Sequence, residues 1–195
     1  MNRLSFEQLD KLARETLPEK RYRHTVGVVE AAEMLAEKYG ADPEKAKIAG
    51  YLHDITKAYT AEQQYAFCAE YGIRLDEIEQ NSPKLLHALT GAKYAEAVLG
   101  IEDREILDAL RCHTTGRRDM SKMDKILYLA DYIEVNRDFP GVETIRALID
   151  EGLDAMMRAA LIQTVMEVAQ KGAPIHPNTI ACYNQLMTEA LYGKR

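Results

Sequence analysis

Apolar residues recur every three or four positions along almost the whole chain, the spacing of one face of an α-helix. "PEKRYRHTVGVVEAAEMLAEKYG" opens on Pro18 and closes on Gly40, the usual proline-first, glycine-last order of a helix. "DPEKAKIAGYLHD" offers Asp42 as N-cap and Pro43 at the first helical position. "SPKLLHALTGAKYAEAVLG" repeats that signal with Ser82, Pro83 and a closing Gly100. "EDREILDALRCH" is a shorter amphipathic run, and "SKMDKILYLADYIEV" carries Ser121 and Asp124 at capping-box spacing. "GLDAMMRAALIQTVMEVAQKG" and "NTIACYNQLMTEALYG" supply two more helices. No useful strand alternation, repeat or long Gly/Ser linker interrupts the pattern. The expected fold is all-α: one domain over residues 1–195, a bundle of roughly eight to ten helices.

Four of the five histidines fall on apolar stripes. His24 lines up with Val28, Ala31 and Leu35, and His53 with Ala46, Ala49 and Gly50. His87 shares a stripe with Gly91, Tyr94 and Val98, and His113 closes the stripe of Ile106, Ala109 and Leu110. Asp54 follows His53 directly, and Asp131 comes one turn after Leu127. Four histidines and two aspartates from five helices are thus expected to point inward. A lone inward histidine is commonly a core residue with one hydrogen bond. Six buried ionisable groups in one small domain would each cost several kcal/mol without compensation. If they converge, a bound cation offsets the carboxylates and uses the imidazole lone pairs. Such mixed nitrogen and oxygen ligands suit iron, manganese, zinc or another first-row metal.

Composition narrows the partners. Of 195 residues, 47% are hydrophobic and 29% charged, an ordinary globular balance. The net charge of −6 argues against broad nucleic-acid binding, though not against one anionic ligand in a local basic pocket. No run approaches the length of a membrane span, and "MNRLSFEQLDKLARE" lacks a signal-peptide core, so a cytoplasmic location is expected. Cys68, Cys112 and Cys182 are scattered and odd in number, which fits a reducing compartment.

The order His24, then His53-Asp54, then Asp131 resembles the HD superfamily of metal-dependent phosphohydrolases. The surrounding words "RYRHTVGV", "YLHDITK", "HTTGR", "KILYLADYIEVNRDFPGV" and "PIHPNT" together resemble the bacterial YqeK family, over roughly residues 20–180. Val135 departs from that family's pattern, which has proline there. The resemblance implies symmetrical hydrolysis of diadenosine tetraphosphate, a dinucleoside polyphosphate, to two molecules of ADP by a metal-activated water. It implies a metal shell of His24, His53, Asp54 and Asp131, with iron as the metal, and a homodimer. The ligand types alone also accept manganese.

His53 and Asp54 are adjacent, so both can reach one metal only where their helix ends or distorts. The resemblance gives Asp54, His87 and His113 catalytic roles, with the two histidines stabilising phosphate charge or protonating the leaving oxygen. A rival is that His87 and His113 bind a second metal. The substrate contacts it implies are Arg21, His24, Asp54, Ile55, Thr56, Lys57, His87, His113, Asp131 and Arg137. They extend to Pro174, Ile175, His176, Pro177, Asn178 and Thr179, a turn before a helix where free N–H groups favour an anion. Rival substrates are other nucleotides or guanosine alarmones. A sensing module that binds metal or nucleotide without turnover is the rival of another class. The "MMRAALIQTVMEVA" stripe suits either core or a dimer surface.

Overall fold

Local capping chemistry sets most helix starts in the computed structural model, which describes residues 4–193. The helices are α1 (Phe6–Thr16), α2 (Glu19–Tyr39), α3 (Pro43–Leu52), α4 (Ala61–Glu70), α5 (Glu77–Asn81) and α6 (Leu86–Ala97). Then follow α7 (Arg104–Cys112), α8 (Lys122–Ile133), α9 (Val142–Ala147), α10 (Leu153–Gln170) and α11 (Pro177–Tyr192). Reciprocal capping boxes open α1, α4, α5 and α8 through Ser5, Thr60, Asp76 and Ser121. Asp42 and Asp103 accept backbone N–H groups at the starts of α3 and α7. Gly40 closes α2 at φ 66°, a conformation that costs glycine little.

The all-α expectation holds, with no strand among the described residues. Those residues form eleven α-helices, in line with roughly eight to ten once the short α5 and α9 are set apart. One expected cap is corrected. Ser82 makes no side-chain cap; Pro83–Leu85 forms a 3-10 turn and α6 begins only at Leu86. Val98 is the C-cap of α6 and about half exposed, so the His87 stripe stops short of it.

Helix α3 is the hub, touching α1, α2, α6, α7 and α8. Its approach to α2 depends on Gly50: a Cβ there would stand 2.9 Å from the Val29 Cα. Leu35, Leu52, Ile126, Leu127 and Leu129 are fully buried around this contact. On α10, Met156, Met157, Ala160 and Leu161 are core, while Ile162 and Met166 stay exposed, so that stripe is mainly core. Among the described residues no helix is long and apolar enough to cross a membrane.

Candidate metal centre

Helix α3 ends at Leu52. His53 is its C-cap, and Asp54 begins a run of tight turns closed by Lys57 N–H to the Asp54 carbonyl at 2.8 Å. That ending lets neighbours in sequence face the same interior point. His24 enters from α2, His87 from α6, His113 from the C-cap of α7 and Asp131 from α8. All four imidazoles are buried, and so is Asp54. The five helices therefore do bring the six groups together.

The groups form two triads. His24, His53 and Asp131 make one, and Asp54, His87 and His113 the other; within each, one ligand atom per residue lies within 4.8 Å of the rest. Asp54 stands between them. Its Oδ2 lies 3.5 Å from His53 Nε2 and 3.9 Å from His24 Nε2, while its Oδ1 lies 3.2 Å from His87 Nε2.

The tautomers follow from the outer hydrogen bonds. His53, His87 and His113 place Nδ1 at 2.8, 2.7 and 2.7 Å from the carbonyls of Gly50, Lys84 and Leu110. His24 Nδ1 lies 3.0 Å from the buried Glu134 carboxylate. Each partner is an acceptor, so each Nδ1 donates, and in the neutral ring every Nε2 turns a lone pair inward. His24 and His53 face one another Nε2 to Nε2 at 3.3 Å, and His87 and His113 at 3.2 Å. Lone pairs opposed at that distance repel unless a positive charge lies among them. The donor set therefore fits divalent cations, with outer oxygens fixing each ring as metal-site histidines commonly require.

Electrostatics agree. Burial alone would raise the Asp54 carboxyl, but His53, His87 and Lys57 outweigh it and hold it well below the usual range. Burial would also raise Asp131; His24, which donates to it from Nε2 at 2.9 Å when its ring is protonated, depresses it instead, with Arg137 and His53. Burial pushes His113 down to about 3, with His87 and His53 adding to the effect. It lowers His87 as well, with Lys57 adding to the effect against the pull of Asp54. Both histidines are then neutral near pH 7, with Nδ1–H tied to a carbonyl. Protonation of a leaving oxygen by His87 or His113 is thus disfavoured, and ligation through Nε2 is favoured.

The basic groups sit alongside. Arg21 Nη1 donates to Asp54 Oδ2 at 2.8 Å, and Arg137 donates to the Asp131 carboxylate and to its carbonyl. Lys57 Nζ donates to His87 Nε2 at 2.9 Å. A cavity of about 680 Å³ opens here, with Lys20, Arg21, Arg23, Lys57 and Arg137 on its walls. The acidic chain therefore does hold a local basic pocket.

Other expected contacts lie elsewhere. Ile55 is part of the hydrophobic core, and the buried Thr56 hydroxyl is committed to the His87 carbonyl and Thr90. Neither side chain is free to contact a phosphate. Across the turn, Pro174, Pro177 and Asn178 are exposed and Ile175 half-buried. Thr179 Oγ1 donates to the Thr115 carbonyl at 2.8 Å, tying that turn to the loop just past His113. His176 caps α11, its Nδ1 accepting the Asn178 N–H, and its Nε2 faces Asp76 and Glu79 at 3.0 and 3.6 Å.

Glu134, Asn136 and Arg146 had escaped the sequence reading. Glu134 accepts from His24, and its other oxygen takes the Asn136 N–H at 2.7 Å. A Cβ on Gly27 would fall 2.2 Å from that second oxygen, so glycine leaves room for the carboxylate. Arg146 donates to the carbonyls of Ile133, Glu134 and Arg137 and so pins the whole turn. Val135 points outward, 75% exposed, and the Arg137 N–H still reaches the Glu134 carbonyl, so valine leaves the turn intact. Glu134 had one legible signal: it is a carboxylate one turn beyond Asp131.

The HD domain pattern matches residues 21–136, which hold every group of the two triads. The chain belongs to the HD domain family. Among HD proteins it is 42% identical over 92% of its length to a symmetrical bis(5′-nucleosyl)-tetraphosphatase of Halalkalibacterium halodurans, covering 95% of that protein. A Bacillus subtilis protein of the same name is 38% identical, with 96% of this chain and 99% of that one aligned. The crystal structure of a predicted HD superfamily hydrolase involved in NAD metabolism, from Clostridium acetobutylicum, superposes with a TM-score of 0.92 at 38% identity. That alignment covers 96% of this chain and all of the other. Both the HD assignment and the tetraphosphatase resemblance read from the sequence are borne out.

Proposed function

We propose that this HD protein hydrolyses diadenosine tetraphosphate symmetrically: water adds, the central phosphoanhydride bond breaks, and two molecules of ADP leave. The observation that carries the reading is four inward Nε2 lone pairs arranged around two carboxylates beside a five-cation pocket. The names of the H. halodurans and B. subtilis relatives support the same substrate.

His24, His53 and Asp131, with Asp54, would hold one divalent cation, iron by resemblance and manganese as the alternative. Asp54, His87 and His113 would hold a second. Bound there, the cations would supply charge for phosphoryl oxygens and an acidified water. Arg21 and Arg137 grip phosphate oxygens, and Lys57 sets a point charge where the two ADP halves part. Thr56 and Ile55 meet the substrate through main-chain groups, and the Pro174–Thr179 turn lies along a nucleoside. As catalytic groups, His87 and His113 act as neutral ligands, in keeping with their lowered pKa values.

The whole chain works as one HD-type domain, as a cytoplasmic homodimer; exposed Ile162 and Met166 on α10 offer an apolar face for the second copy. The test is product analysis on anaerobically purified protein of known metal content. ADP as the sole nucleotide product is expected. AMP with ATP would shift the grip by one phosphate, and a metal-loaded protein without turnover would favour a sensing role.

A further inference from the structure

A substrate with a nucleoside at each end must run in two directions from the bond that breaks. Asp54 faces both ways, with Oδ2 toward Arg21 and His24 and Oδ1 toward His87 and Lys57. The large cationic cavity lies on the Arg21 side. A second cavity, of about 250 Å³, lies on the His87 side and is walled by Lys57, Tyr59, Gln64, Pro83, Lys84 and His87. Lys57 borders both, with its Nζ 3.6 Å from Asp54 Oδ1.

The walls of the smaller cavity suit a nucleotide. Tyr59 is half-buried and offers a ring backed by Phe67 at 6.3 Å between centroids. Pro83 adds an apolar surface, and Lys84 adds a second ammonium. Among the described residues, neither the Tyr59 hydroxyl nor the Lys84 ammonium is engaged in a hydrogen bond or ion pair. Gln64 differs: its amide donates to the Thr56 carbonyl and accepts from Thr90, so it is wall rather than contact. A flat ring with a cation and few free directional donors favours stacking on a base over reading its edges.

We propose that this smaller cavity binds the second nucleotide half of the dinucleoside polyphosphate, with Tyr59 under its base and Lys84 on its phosphates. The proposal rests on the hydrolytic reading above and adds a site for the half that the Arg21 and Arg137 grip does not hold. Two consequences follow. Each chain binds two molecules of ADP, one per cavity. A tetraphosphate with only one nucleoside is cleaved less efficiently than one with two.

The test has two arms on manganese-loaded protein, with helix content checked by circular dichroism. Calorimetric titration with ADP should give two sites per chain in the wild type and one in Tyr59→Ala. Tyr59→Phe keeps the ring and should keep both sites. Kinetically, Tyr59→Ala should cut kcat/KM about tenfold for diadenosine tetraphosphate, from the usual strength of base stacking, and little for adenosine 5′-tetraphosphate. Lys84→Glu should depress both substrates together. One ADP site in the wild type, or equal losses on both substrates in Tyr59→Ala, would overturn the subsite. Wild-type protein that fills two ADP sites without hydrolysing the dinucleotide would instead sink the hydrolytic reading and leave the subsite standing.

Discussion

The central pair of triads and the cluster of His176 with Asp76 and Glu79 use the same residue types to opposite ends. In the centre, each Nδ1 donates to an oxygen, and each Nε2 turns inward, that of His87 accepting from Lys57. At His176, Nδ1 accepts a backbone N–H, so the neutral ring carries its proton on Nε2, facing the two carboxylates. For His53 and His113, position on the helix explains the difference. His53 and His113 stand at helix C-termini, where free carbonyls are plentiful; His176 stands at an N-terminus, where N–H groups are. One arrangement fits a cation and the other brings α11 and α5 together through an imidazole beside two carboxylates. Residue type alone does not separate the two.

The strongest way to break this contrast is to remove a central ligand. His53→Ala or Asp54→Ala should abolish metal retention and lower turnover about a thousandfold or more, given the several kcal/mol a catalytic cation supplies. Helix content should hold, and His176→Ala should retain full metal. Equal metal loss in His53→Ala and His176→Ala, measured by elemental analysis, would erase the distinction.

Next comes pH. In metal-free protein, His113 titrates near 3 when folded but near its ordinary value when unfolded. Between those values the unfolded chain binds more protons, so stability falls as the pH falls. From pH 7 to pH 4 the loss from this group is about 3 kcal/mol. The lowering of His87 adds to it, and the raising of His53 works against it. A flat melting temperature over that range would contradict the neutral, lone-pair-inward assignment.

The orienting carboxylate gives a smaller effect. Glu134→Ala should weaken metal binding 10–100-fold, roughly the usual cost of losing such an outer partner. Gly27→Ala should act in the same direction by displacing that carboxylate, and a chelator competition would read both. The meeting of α11 and α5 gives the least. Asp76→Ala should cost about 1 kcal/mol by weakening the α5 capping box and its contact with His176, with metal content unchanged.

Much of the centre was legible along the chain because helical periodicity encodes which side faces inward. His24, His53, His87, His113 and Asp131 could be placed on buried stripes, and the adjacency of His53 and Asp54 already required a helix end. The capping residues Asp42, Ser121 and Asp124 were equally local, since a cap needs only its own next turn. Ser82 misled because Pro83 was taken up by a 3-10 turn.

Tertiary structure decided what depends on several helices meeting. The sorting of six ligands into two triads, with Asp54 between them, follows from how α3 packs against α2, α6, α7 and α8. The spending of the Thr56 hydroxyl on Thr90, and the pairing of Glu134 with His24 over Gly27, join residues far apart in sequence. Sequence by itself determined which side chains face inward, because that follows from spacing along one helix. Only the packed bundle decided which of their atoms meet and where each proton sits, because those depend on neighbours supplied by other helices.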